Sequence, residues 1–93
     1  MTEGAALSMM RNDLTILVRS EREFFEQNRT YTRDLAALGF AASPGVSVAV
    51  GYANSRGFRA IARHAATDRI CGTYLGSGTP TSPGAPEGEP ACR

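Results

Sequence analysis

The chain has 93 residues and a mass of 9.9 kDa, room for one small domain and no more. With 42% apolar and 20% charged residues, the composition speaks against a disordered chain or a membrane protein. A net charge of +1 excludes strong global attraction to nucleic acid or anionic lipid. All ten basic residues are arginine, which by itself points to no function. No run in these residues approaches the roughly 20 apolar residues of a membrane span, and none has the layout of a signal peptide.

Residues 1–27 form the first unit, read over 2–27 as one helix free of proline. Leu7, Met10, Leu14, Leu17, Val18 and Phe25 follow the i, i+3, i+4, i+7 rule and make one apolar stripe, a helix face for packing on a sheet. Thr2 suits the N-cap and Glu3 the positive helix end. Phe24 widens the stripe near its end. Met9 and Ile16 lie seven apart, nearly opposite it, and form a second narrow line. That line reads either as scattered exposed residues or as a contact with neighbouring subunits.

Residues 28–45 are a connection, with a short helical turn over 33–38 closed by Gly39 and a turn at Ser43-Pro44-Gly45. Residues 46–76 alternate with period two, as strands do. Val46, Val48, Val50 and Tyr52 share one face. Asn54-Ser55-Arg56-Gly57 marks a hairpin. Phe58, Ala60, Ala62 and His64 share a face opposite Arg59, Ile61 and Arg63. Thr67-Asp68 marks a second turn, and residues 70–75 a third strand carrying Cys71. The small Ala60 and Ala62 leave room for a helix against that face. The fold class is α+β: one long helix across a three- to four-stranded antiparallel sheet.

Residues 77–93 hold three glycines and four prolines, too many for a ladder or a helix. Cys71 and Cys92 are the only cysteines. They are too few for a four-ligand zinc site even with His64 and too far apart for a CxxC pair. They read as a structural disulfide that ties down the tail, or else as two free thiols in a reducing compartment. The ring of about 22 residues would contribute about 3 kcal/mol and would imply an oxidising compartment.

Enzyme chemistry finds little footing. His64 is the one histidine, and it reads as a strand-end residue with a local hydrogen bond. A nucleophile elbow is lacking. Glu21, Glu23 and Glu26 lie on different helix faces and pair poorly; Glu21, beside the stripe, is placed to bond loop backbone. Gly76-Ser77-Gly78-Thr79 lacks the lysine of a phosphate loop. Catalytic residues and cofactors are not expected. The rival reading is DNA. Between residues 46 and 76, Arg56, Arg59, Arg63 and Arg69 outweigh Asp68, for a local charge of +3, with Tyr52, Phe58 and Tyr74 interleaved. Arginine with aromatics holds phosphate and stacks bases. Alternating arginines also simply keep a sheet face soluble.

The order of these signals resembles the type IV pilin and type II secretion pseudopilin superfamily. The matching stretches are Met10-Arg11-Asn12-Asp13-Leu14, Phe24-Phe25, Asn28-Arg29-Thr30-Tyr31, Leu35-Ala36-Ala37-Leu38-Gly39-Phe40, Ser43-Pro44-Gly45-Val46, and Gly57-Phe58 through His64. The run from Cys71 through Gly76 to Glu87-Gly88 and Cys92 resembles the family's disulfide-closed C-terminal loop. The resemblance implies a structural subunit of a pilus or secretion pseudopilus, lying outside the cytoplasm and partnered by other pilin subunits, with Met9 and Ile16 facing them. Some pilin-like subunits bind DNA, and some pseudopilins bind calcium near this tail. Glu87 and Glu89 are too few to assign a calcium site. The family's basic leader and apolar helix half do not occur in these 93 residues. The expectation is that this half is removed, omitted, or supplied by a separate apolar helix chain. A free exported binding domain that never polymerises is the remaining alternative.

Overall fold

A helix, α1, runs over Glu3–Asn28 in the computed structural model, which describes residues 1–77, 80 and 84–93. Its start is fixed by Thr2, whose Oγ1 accepts the Ala5 N–H at 3.1 Å and satisfies one of the free donors of the first turn. It ends at Arg29, a left-handed residue (φ 58°) whose N–H donates to the Phe25 carbonyl at 2.8 Å. At 1.5 Å per residue, 26 helical residues span about 39 Å. The molecule's longest dimension is also 39 Å, so α1 runs its whole length.

One face of α1 is buried along Ala6, Leu7, Met10, Leu14, Leu17 and Val18. Phe25 departs from the expected stripe and is only half-buried. It stacks on Tyr31 with ring centroids 4.7 Å apart, and Tyr31 in turn lies 5.4 Å from Phe58. The end of the helix is therefore covered by the connection rather than by the sheet. Met9 also corrects the sequence reading. It packs, half-buried, against the core, whereas Ile16 is 39% exposed. At 100° per residue these positions flank the buried face rather than oppose it.

The expected helical turn of the connection is present as one capped turn over residues 35–39. Asp34 Oδ1 accepts the N–H groups of Ala36 and Ala37. At the other end Gly39 (φ 64°) donates to Ala36 and Phe40 to Leu35, the bond pair that closes a helix terminus. Gly45 (φ 85°) sits third in the Ser43–Val46 turn, whose closing bond runs from the Val46 N–H to the Ser43 carbonyl at 3.0 Å. Proline second and glycine third suit a turn that needs positive φ at its third residue.

The sheet comprises β1 (Val46–Asn54), β2 (Gly57–His64), β3 (Thr67–Gly76) and β4 (Ala91–Cys92), in that spatial order and all antiparallel. α1 lies chiefly across β2 and β3. Between them sit Phe58, Ala60, Ala62, Cys71 and Leu75, each at most 2% exposed. The two alanines of β2 let the helix approach closely, and Phe58 fills the remaining space. Val46 and Val50 complete the inner face.

Two sheet details differ from the sequence reading. Val50 pairs with Ala60, but the next pair is Tyr52 with Arg59, so Gly51 is an extra residue. This bulge turns Tyr52 off the face of Val46 and Val50, leaving it 38% exposed, and brings Ala53 inward opposite Phe58. The second turn falls at Ala65-Ala66 rather than Thr67-Asp68. His64 pairs with Thr67, and its Nδ1 accepts the Ala66 N–H at 2.9 Å, which closes the turn from a side chain.

Cys71 and Cys92 form a disulfide that joins β3 to β4. Paired backbone bonds between Ile70 and Arg93 extend the contact, and the Gly88 N–H donates to the Tyr74 carbonyl at 2.8 Å. Gly76 (φ 61°) leaves β3 so close to the hairpin that a Cβ there would collide with the Arg56 carbonyl. On the opposite edge, Tyr31 N–H and Arg33 Nε donate to the Asn54 and Val50 carbonyls of β1. The expected closed loop over 77–93, and the Gly78-Thr79 part of the glycine run, fall partly on residues 78, 79 and 81–83, which lie outside the described residues.

Candidate interaction surfaces

Two buried carboxylates lock the connection to the helix. Asp13 is 2% exposed, and its two oxygens accept the Ser43 N–H and Oγ–H, both at 2.8 Å. Glu21, with no exposed surface, accepts the Thr32 N–H through Oε1 at 2.9 Å. Its Oε2 is buried with no partner. Burial pushes the Glu21 carboxyl up to about 7, with the Thr32 hydrogen bond pulling the other way. Sequence reasoning placed Glu21 near loop backbone but passed over Asp13. The signal was present, since Asp13 lies four before Leu17 on the edge of the stripe. Asp13→Ala strands the Ser43 donors, and we expect a loss of about 1–2 kcal/mol in urea unfolding. A change below a few tenths would mean water replaces the carboxylate.

The sequence-predicted subunit contacts therefore separate. Ile16 is on the surface, whereas Met9 is partly used by the chain's own core. Glu23 and Glu26, farther along the helix, are exposed, whereas Glu21 is buried. A shallow groove of about 170 Å³ runs between the helix and the connection, lined by Ser20, Phe24, Gln27 and Leu38 among others.

The far side of the sheet carries the arginines. Arg59 is the cross-strand partner of both Tyr52 and Tyr74, so the three form one row over β1, β2 and β3. Ile61 occupies the next row between Ala49 and Gly72, and Arg63 lies beyond it opposite Ser47. Phe58 does not belong to this surface, because it is wholly buried under the helix. Arg56 sits in the β1–β2 turn. Arg69 joins Arg63, His64 and Asp68 around an open groove of about 360 Å³ at the β2–β3 end. Arg59 Nε is buried with no partner. Hydrogen bonds with Ser77 and Asn54 hold the Tyr52 phenol below its ordinary pKa, and the Tyr74 hydroxyl donates to the Ala85 carbonyl at 2.9 Å.

His64 faces inward against Gly45, where a Cβ would lie 2.7 Å from its Nε2. That nitrogen is buried without a partner, while Nδ1 is taken by Ala66. Glu87 Oε1 accepts the Gly76 N–H and so ties the tail to the end of β3. Among the described residues no three His, Cys, Asp or Glu side chains gather closely enough to hold a metal ion. Among the same residues no helix is long and apolar enough to cross a membrane. No protein-family model matches the chain, and no curated protein matches it either.

Proposed function

We propose that the chain is the globular head of a type IV pilin-like or pseudopilin-like subunit, a structural protein that acts by assembling into a filament. The observation that carries this reading is the combination of α1, laid full length across an antiparallel sheet, with a C-terminal segment fastened to that sheet by the Cys71–Cys92 bond. A spine of this kind transmits position. Its buried face fixes the sheet, and its open flank is free to pack on the next subunit. In such a subunit an apolar helix half extends the spine from its N-terminal end, within one polypeptide or as a separate chain. The disulfide requires an oxidising environment, which suits a periplasmic or cell-surface fibre.

Ile16 is a large apolar side chain of the spine that the head leaves exposed. Ile16→Asp in the protein expressed by its native host is expected to cut sheared filament yield at least tenfold, while the melting temperature of the purified head moves by less than 2 °C, as surface substitutions do. An unchanged yield would reject filament assembly through this flank and favour an exported domain that does not polymerise.

A further inference from the structure

We propose that the outer face of the sheet is a binding platform for single-stranded nucleic acid, centred on the row Tyr52–Arg59–Tyr74 and extended by Arg63. This surface is separate from the helix flank and does not depend on the filament reading.

The argument starts from the pairing register. The bulge at Gly51 brings Tyr52 level with Arg59, and β3 brings Tyr74 level with Arg59 from the other side. One cation between two phenol rings offers both phosphate contact and base stacking. Ile61 lies one row on, flanked by Ala49 and Gly72, so the surface beyond the row is low and apolar rather than crowded by charge. Arg59 and Arg63 are four residues apart on β2, about 13 Å along the strand, a span that a short stretch of extended single strand covers. Asp68 is the one acidic residue in the four strands; it shares the groove at the β2–β3 end with Arg63 and Arg69, which outnumber it. The face is therefore cationic and complementary to a phosphate chain, although the whole molecule carries only +1.

A duplex fits this surface less well, because its bases are stacked internally and leave the tyrosines without partners. Binding should then favour the single strand. It should also weaken with salt, with a log–log slope of roughly −0.7 per phosphate contacted.

The test uses the 93-residue chain and fluorescein-labelled oligothymidylate of 20 nucleotides, with fluorescence anisotropy read at 50 and 200 mM NaCl. The single strand is expected to bind at least fivefold tighter than a duplex of equal length. Arg59→Ala with Arg63→Ala should weaken binding at least tenfold and reduce the salt slope by roughly 1.4, the share of two contacts. Tyr52→Leu, at an exposed position, should reduce the preference for single strand over duplex while sparing the salt slope. Thermal melting of each variant separates a lost surface from a lost fold. Equal affinity for single strand and duplex, no binding at 50 mM salt, or unchanged binding by well-folded Arg59/Arg63 variants would each overturn the proposal.

Discussion

Replacing Cys71 and Cys92 together with alanine is expected to remove about 3 kcal/mol of stability, given the sequence separation of 21 between them. For a domain this small that is a loss of about 15 °C in melting temperature. Two effects combine. The unfolded chain regains the freedom that the ring denies it, and β4, only two residues long, loses the covalent bond that keeps it against β3. The check is a pair of melts with and without reductant. Wild-type protein in reductant should fall to the double variant's midpoint, and the variant itself should ignore reductant. Coincident wild-type melts in both conditions would mean the disulfide contributes nothing to the fold.

Glu21 gives the second large effect, and its sign is unusual for a carboxylate. The folded group titrates at about 7 and the unfolded one near its ordinary 4.5. Between those values the folded state binds more protons than the unfolded state. The stability that Glu21 contributes is therefore greatest below about pH 4.5, falls as pH rises through this window, and levels off above 7. From pH 5 to pH 8 the loss is about 2–3 kcal/mol, or at least about 10 °C in melting temperature. Glu21→Gln keeps an acceptor for Thr32 and removes the buried charge, so its melting should be nearly flat over the same range and above wild type at pH 8. A variant with the wild-type pH slope would place the dependence on another group.

The helix was readable because three local rules agree there: the apolar spacing, the Thr2 cap and the lack of proline. The first hairpin and the Pro44-Gly45 turn were readable because turn chemistry is local. The disulfide followed from the tail's composition, which leaves little else to hold it. What escaped was set by pairing between strands. No local rule announces that Gly51 would be the extra residue, and that single insertion carries Tyr52 from the inner face to the outer. The second turn was misplaced because Thr67-Asp68 looks more turn-like than Ala65-Ala66. The acceptor that closes the actual turn belongs to His64, one residue upstream. Period two already sets Phe58 on the face opposite Arg59 and Arg63, and the structure buries it there; only the count of interleaved aromatics ran the two faces together. Asp13 was passed over because a carboxylate on an apolar stripe reads as noise until its partner, 30 residues away, is seen.

The sheet also guards its own flanks. Along β1 the carbonyls of Val50 and Asn54 are taken by Arg33 and Tyr31, and along β3 the ladder is taken up by the Cys92 segment and by Gly88. An incoming foreign strand thus finds part of each edge already occupied. The sulfur bond is then more than a stability device: by holding its segment against β3 it keeps that stretch of the ladder from pairing with other copies. A copy whose cysteines stayed reduced would leave that ladder open, and concentrated reduced protein would be the form that joins edge to edge.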